Sequence, residues 1–168
     1  ESPYIASTQL NGLLVDETTN KNNSVIELRE NEYSTNVVFR LSKLPQKGVD
    51  VKIAVDESYA ATYNAVHETD FEVFPAANVK IAYDGNFVLA PDDKVTPSVK
   101  VTLTAFEGMK EDQTYIIPLT ATSSTEGVTF TETSKHMVLL VKDYRNIPNT
   151  DKGKNAVQTV LYFEINDT

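Results

Sequence analysis

Apolar and polar residues alternate with a period of two along much of the chain. Val49, Val51 and Ile53 are apolar, whereas Asp50 and Lys52 between them are polar. This period is typical of a strand with one buried and one solvated face. Five further stretches show it, with apolar positions at Ile26 and Leu28, at Val37, Phe39 and Leu41, at Val79, Ile81 and Tyr83, at Val99, Val101, Leu103 and Ala105, and at Tyr115, Ile117, Leu119 and Ala121.

Several local signals refine this pattern. Apolar residues fill both faces of Met137 to Val141, which predicts a central strand covered on two sides. Pro118 removes a backbone donor, so its strand should lie at an edge or contain a bulge. The segment Asp84-Gly85-Asn86 is typical of a hairpin turn. Only Ser58 to Val66 could hold a short helical turn.

The residue types favour the same fold class. Val, Thr and Ile, which suit pleated strands, make up 46 of the 168 residues. We therefore predict an all-β, immunoglobulin-like antiparallel β-sandwich of about seven to nine strands over residues 1–145. Residues 146–157 lose the apolar periodicity and have the composition of a linker.

The two ends of the chain leave alternatives open. Residue 1 is Glu, and no basic n-region or apolar core of a signal peptide follows it. We expect the true start to be missing, as in a processed exported protein or a trimmed chain. Residues 158–168 contain an apolar run, which could be the last strand of this domain or the first strand of a second one.

Composition and charge exclude several function classes. The absence of Cys excludes disulfide scaffolds and Cys-based zinc sites. A net charge of −9 argues against nucleic acid as a partner, because a phosphate backbone requires a concentrated basic surface. No apolar run approaches the roughly 20 residues that cross a bilayer.

No catalytic or cofactor motif is present. The sequence has no nucleophile elbow, P-loop or dinucleotide-binding turn. His67 and His136 each lack a second ligand at metal-binding spacing, and we expect both to be structural. Pairs of acidic residues can hydrolyse glycosides or bind calcium, but we expect the acidic pairs of this chain to be solvated turn charges. They lie at Asp16-Glu17, Glu68 to Asp70, Asp92-Asp93 and Glu111-Asp112.

Aromatic residues are the remaining candidates for ligand contact. Flat rings pack against the apolar faces of sugars, and Tyr adds a hydroxyl group. In a sandwich, however, aromatic side chains usually fill the core. The candidate ligand-binding residues are Tyr59, Tyr63 and Tyr83, from a group that also includes Phe71, Phe74 and Phe87.

The order of motifs between Val49 and Tyr144 resembles a known family. It is similar to the N-terminal domain of unknown function in exported surface lipoproteins of gut Gram-negative bacteria, encoded among glycan-utilisation genes. The likeness extends over about 100 residues. Its motifs are the strand Val51 to Glu57, the segment Tyr63-Asn64-Ala65, the corner Phe71 to Pro75, the strand Ser98 to Thr104, and Tyr115-Ile116-Ile117-Pro118-Leu119.

The C-terminal segment extends this resemblance. Residues 160–168 look like the opening strand of a family-18 glycoside-hydrolase-like barrel of the endo-β-N-acetylglucosaminidase type, which follows this domain in several such lipoproteins. The acidic D-x-x-D-x-D-x-E signature of that enzyme family is missing from the 168 residues, so no catalytic residue is carried over. Residues 158–168 are therefore expected to be the truncated first strand of a following domain.

The resemblance implies an accessory role without catalysis. We expect a cell-surface or outer-membrane module that supports capture of N-glycan or mucin-type glycan by a downstream barrel domain. No cofactor or metal is implied, and membrane contact would come only through a missing N-terminal lipid anchor. The alternative is a structural spacer, or an adhesive protein-interaction domain, that binds no glycan.

Overall fold

Twelve strands, one α-helix and a short 3-10 helix (Ala76–Asn78) lie in the part of the chain that the computed structural model describes, residues 8–147. Eight strands have four or more residues, and four are shorter. The strands are β1 (Thr8–Leu10), β2 (Gly12–Asp16), β3 (Asn23–Leu28), β4 (Glu32–Leu41), β5 (Val49–Val55), β6 (Glu72–Val73), β7 (Val79–Ile81), β8 (Asn86–Leu89), β9 (Val99–Thr104), β10 (Thr114–Thr122), β11 (Val128–Phe130) and β12 (His136–Asp143), and the helix is α1 (Tyr59–His67).

Two large sheets face each other. One has the strand order β3-β12-β10-β5-β8, with β6 also paired to β10, and the other has the order β2-β4-β9-β7. Their pairings are antiparallel except where β3 joins β12 and β6 joins β10. Strands β1 and β11 form a separate parallel pair. The predicted all-β sandwich is confirmed.

The period-two pattern places the core between these sheets. Along β5, Val49, Val51 and Ile53 are buried, whereas Asp50 and Lys52 face solvent. The inward side chains of both sheets form one cluster of buried apolar residues. Burial of such side chains is the main term that stabilises a sandwich without disulfides.

Strand β12 is buried on both faces, as its sequence predicted. Met137, Leu139 and Val141 belong to the core between the sheets. Val138 and Leu140 face the other way and form a second cluster with Ala60 and Tyr63 of α1 and with Ile116 of β10. The helix expected near Ser58 to Val66 therefore covers the outer face of the larger sheet.

The expectation of an edge position for Pro118 is wrong. Strand β10 lies inside the sheet, and Pro118 stands opposite Val138 of β12. On its other side β10 pairs with β5 from Leu119 onward and with β6 up to Ile116. Pro118 falls between these two pairings, and its carbonyl accepts the backbone N–H of Asp56 at 2.9 Å. The missing donor is tolerated because the carbonyl of Asp56, which lies beside Pro118, accepts from the backbone N–H of Tyr59 at 3.1 Å instead.

The expectation of a hairpin at Asp84 to Asn86 is also wrong. Strand β7 pairs with β9 in the smaller sheet, whereas β8 pairs with β5 in the larger one. The connection between them is a tight turn over Ala82–Gly85, in which Tyr83, Asp84 and Gly85 have left-handed backbone geometry. It carries the chain from the edge of one sheet to the edge of the other.

The domain limits proposed from the sequence lie partly outside the described residues. The predicted strand at 158–168 lies outside the described residues. The predicted linker at 146–157 does too, except for its first two residues. Within residues 8–147 the last feature is a turn, in which the N–H of Ile147 donates to the carbonyl of Tyr144 at 3.2 Å. No helix in this range is long and apolar enough to cross a membrane.

Candidate ligand-binding groove

Tyr83 is the most exposed of the aromatic candidates. Its relative exposure is 81%, and its backbone φ is +57°. The next two residues, Asp84 and Gly85, also have positive φ, at +52° and +80°. Left-handed geometry is unfavourable for residues with a side chain, and here two of them precede the glycine. Strain of this kind persists only where the surrounding structure enforces it, and it is concentrated at functional sites.

Neighbouring groups hold this turn in place. Gly85 is packed against strand β5 so closely that a Cβ atom would lie 1.9 Å from the carbonyl oxygen of Ile53. Lys52 Nζ donates to the carbonyl oxygen of Asp84 at 2.8 Å. Asn86 Nδ2 donates to the carbonyl oxygen of Tyr83 at 3.2 Å. The exposed ring is therefore carried on a fixed backbone.

An open groove of about 650 Å³ lies beside Tyr83. It runs between β5 of the larger sheet and β7 of the smaller one, and the turn Ala82–Gly85 contributes Tyr83 and Asp84. Lys52, Lys80, Asp84 and Asn86 provide polar lining. An exposed aromatic ring surrounded by hydrogen-bonding groups suits a polar ligand that also has an apolar face.

A second cleft lies elsewhere in the domain. It has a volume of about 350 Å³ and is lined by β1 and by the connection between β4 and β5. Among the described residues, its apolar lining comes from aliphatic side chains such as Leu10 and Leu44, and none of the lining residues is aromatic. We therefore regard the groove at Tyr83 as the better ligand site.

The three predicted tyrosines do not come together. Tyr83 lies between β7 and β8, whereas Tyr59 and Tyr63 are on α1, which does not line the groove. Tyr63 is only 8% exposed and stacks on His67 with ring centroids 4.0 Å apart. Burial raises the pKa of Tyr63, and the neighbouring Tyr59 raises it further. Its side chain is part of the second core cluster and offers little surface to a ligand.

The remaining aromatic candidates also have packing roles. Tyr59 is half-buried and stacks on His136 with ring centroids 3.9 Å apart. Phe74 and Phe87 are buried in the main core, and Phe71 packs against the second cluster. The sequence gives no local signal that separates these rings from Tyr83, because burial depends on residues that are distant along the chain.

Both histidines have structural surroundings. His136 Nδ1 lies 2.9 Å from Thr120 Oγ1, and its Nε2 lies 3.6 Å from Glu132 Oε1. His67 Nδ1 is 3.1 Å from the carbonyl oxygen of Tyr63. Within residues 8–147, no group of three or more His, Asp or Glu side chains could hold a metal ion.

The acidic residues are solvated as expected, with one exception. Glu68, Asp70, Asp92, Asp93, Glu111 and Asp112 are exposed or partly exposed. Asp16 is instead only 1% exposed. Its Oδ1 accepts from Thr35 Oγ1 at 2.8 Å and from the backbone N–H of Thr18 at 2.9 Å. Asp16 thus organises the turn after β2, and its description as a solvated turn charge is wrong.

Comparison with known proteins places the chain in a family. Residues 4–128 match the model of a protein family that is described as an N-terminal domain. The chain belongs to this family of N-terminal domains. The resemblance drawn from the sequence motifs is confirmed at this level. The search of curated proteins found no significant match.

Solved structures from Bacteroides have the same domain fold. EndoBT-3987 from Bacteroides thetaiotamicron, with Man5GlcNAc product, is 36% identical with a TM-score of 0.74, over 84% of this chain and 33% of that one. The same enzyme with Man9GlcNAc2Asn substrate gives 33% identity and a TM-score of 0.57, over 84% of this chain and 28% of that one. The chain therefore spans about a third of the length of EndoBT-3987.

A more distant structure supports the fold alone. It is a Bacteroides ovatus protein, provisionally described as carbohydrate binding, with 20% identity and a TM-score of 0.66 over 77% of this chain and 36% of that one. At this identity the likeness concerns the backbone arrangement. It leaves the role of the Tyr83 groove to be argued from its own chemistry.

Proposed function

We propose that this domain is a noncatalytic accessory module that binds glycan in the Tyr83 groove and supports glycan capture by the domain that follows it. The observation that carries the proposal is the exposure of Tyr83 on a strained, fixed turn. A ring in this position can stack on the apolar face of a sugar without any rearrangement of the backbone, which lowers the cost of binding.

The polar groups beside Tyr83 suit sugar hydroxyl groups. Lys52 Nζ has three donor hydrogens and uses one for the carbonyl of Asp84. The carboxylate of Asp84 can accept from hydroxyl groups, and the side-chain oxygen of Asn86 can do the same. Donors and acceptors therefore lie next to an aromatic ring, which is the combination that an oligosaccharide requires.

The family relationship favours the same role. The chain belongs to a family of N-terminal domains, and EndoBT-3987, which has a related domain, has been solved with a glycan product and with a glycan substrate. We infer that a downstream barrel domain carries out any hydrolysis. An exported location, at the cell surface or outer membrane, is the setting in which such a module would meet glycans.

Calorimetry on the 168-residue chain tests the proposal. The ligands are Man5GlcNAc, Man9GlcNAc2Asn and mucin-type oligosaccharides. We expect measurable heat with at least one of them, and Tyr83→Ala should weaken that binding about tenfold or more. The control is Val66→Ala, because Val66 is 71% exposed on α1 and does not line the groove.

The result separates binding from a purely structural role. Equal affinities for the wild-type chain and Val66→Ala, with loss in Tyr83→Ala, would support the groove as the binding site. No heat with any of the glycans would overturn the proposal and leave the domain as a spacer or a protein-interaction module.

A further inference from the structure

A second depression adjoins the Tyr83 groove. It has a volume of about 260 Å³ and shares Lys52 and Asn86 with the groove. Beyond these two residues it is lined by Asp50, Val88 and Ser124, together with parts of Val51 and Phe87. The two depressions are therefore neighbours that share one pair of side chains.

The strand register explains why the two depressions are neighbours. Lys52 stands opposite Asn86, and Asp50 stands opposite Val88, in the antiparallel pairing of β5 with β8. Alternate residues of a strand face the same side, so these four side chains form two successive rungs on the outer face of the sheet. The rungs are about 7 Å apart along the strand.

The outer face is open at these rungs. Asp50, Lys52 and Asn86 are exposed, and Val88 is 60% exposed, whereas Val51 and Phe87 point into the core. Strand β8 is the last strand of its sheet in the described part of the chain. Within residues 8–147, no further strand covers the depression on that side.

Like the Tyr83 groove, the second depression combines an apolar surface with hydrogen-bonding groups. Val88 provides an apolar surface, and the carboxylate of Asp50 and the hydroxyl group of Ser124 provide hydrogen-bonding groups. The loop that carries Ser124 is attached to β5, because the N–H of Asp50 donates to Thr125 Oγ1 at 2.8 Å. The depression is therefore held against β5 rather than formed by a free loop.

We propose that the ligand is an oligosaccharide of at least two sugar units that extends from the Tyr83 groove along β8. One unit stacks on Tyr83, and the next lies over the rung formed by Asp50 and Val88. Lys52 and Asn86 lie at the junction and contact both units. This inference rests on the proposed function, since it assigns the length and direction of the glycan bound at the same site.

A ligand series of increasing length tests the second subsite. Calorimetry on the 168-residue chain would compare mannose, mannobiose and Man5GlcNAc, and also a mucin series from N-acetylgalactosamine to its disaccharide and longer members. We expect the disaccharide to bind at least tenfold more tightly than the monosaccharide of the series that binds. Val88→Arg should remove most of this gain and leave monosaccharide binding unchanged.

The variants are chosen to keep the fold intact. An arginine at position 88 stands opposite Asp50, where a cross-strand pair of opposite charge is favourable. Ser124→Arg fills the same depression from a loop position and provides a second variant. Val66→Arg on α1 is the control for the added charge.

The possible results have distinct meanings. Equal affinity for the monosaccharide and the longer ligands, or unchanged oligosaccharide binding in both Val88→Arg and Ser124→Arg, would overturn the second subsite while the proposed function stands. Absence of binding by every member of both series would overturn the proposed function itself. A length-dependent gain that both variants remove would support the inference.

Discussion

Gly85 and Ile53 are in direct backbone contact, and this contact fixes the Tyr83 turn to strand β5. A Cβ atom at position 85 would lie 1.9 Å from the carbonyl oxygen of Ile53, and the φ of Gly85 is +80°. Glycine is therefore required twice at this position, once for the space and once for the backbone conformation.

We expect Gly85→Ala to lower the free energy of unfolding by about 3 kcal/mol or more, since the backbone of β5 has to move. Gly108 is a matched control, because its φ is +87° and a Cβ atom there would meet nothing within 4 Å among the described residues beyond its two chain neighbours. Gly108→Ala should cost about 1 kcal/mol, the conformational part alone. Urea unfolding of both variants measures the difference, and equal losses would contradict the contact.

The Tyr83→Gly variant of the domain should be more stable than the Tyr83→Ala variant. Both substitutions remove the exposed ring, but alanine keeps the unfavourable left-handed backbone at φ +57° and glycine relieves it. Tyr83→Gly is expected to exceed Tyr83→Ala by about 1 kcal/mol in the free energy of unfolding, although both lose ligand binding.

Val88 provides the comparison for the tyrosine variants. It lies in strand β8, so there the order should reverse, with Val88→Gly about 0.5–1 kcal/mol less stable than Val88→Ala. Thermal and urea unfolding of the four variants gives both differences. A Tyr83→Ala variant more stable than Tyr83→Gly would show that the turn is unstrained.

Asp143 should make the domain sensitive to acid. Its side chain is 2% exposed, and its carboxylate accepts from Arg145 Nε at 2.9 Å and from Arg145 Nη2 at 3.0 Å. These hydrogen bonds hold the pKa of Asp143 below its ordinary value. A lowered pKa means that the folded state binds the proton less readily than the unfolded state. The stabilisation is therefore present above the unfolded pKa of about 3.9 and is lost as the pH falls through the folded pKa.

Asp143→Asn is expected to lower the free energy of unfolding by about 2 kcal/mol at pH 7, the usual value for hydrogen bonds to a charged group. The difference from the wild-type chain should shrink below about pH 4. Urea unfolding at pH 7, 5 and 3 measures it. A difference that does not change with pH would mean that ionisation of Asp143 contributes nothing.

Asp16 should behave as a buried hydrogen-bond acceptor. Asp16→Ala leaves the hydroxyl group of Thr35 and the N–H of Thr18 without this acceptor, so a loss of about 2 kcal/mol is expected. Asp92→Ala, at an exposed position, should change stability by no more than about 0.5 kcal/mol. Comparable effects in the two variants, measured by urea unfolding, would contradict the role assigned to Asp16.

The features that the sequence predicted are those set by neighbouring residues. The alternation along β5 and the continuous apolar run in β12 reflect burial of one or both faces, which the local pattern records directly. Asp84-Gly85-Asn86 has the same local composition whether its flanking strands pair with each other or with strands elsewhere. The actual partners, β9 and β5, are set by tertiary packing.

The prediction of the site residues was limited in the same way, because it also depends on tertiary packing. Tyr63 and Tyr83 are both tyrosines in the same aromatic-rich stretch, and only the fold buries the first within α1 and leaves the second exposed. The burial of Asp16 likewise depends on Thr35, which is 19 positions away along the chain. Positive φ at Tyr83 has no counterpart in the sequence, because neither Tyr nor its neighbours require it.

The position of β12 has a mechanical consequence. This strand is aligned with β10 over seven residue pairs and with β3 over six, and the chain leaves it at Asp143. A pulling force on the chain beyond that point acts along the strand and loads the hydrogen bonds of both ladders together, rather than opening them one at a time. The chain therefore leaves the domain from a strand that is hydrogen-bonded on both sides.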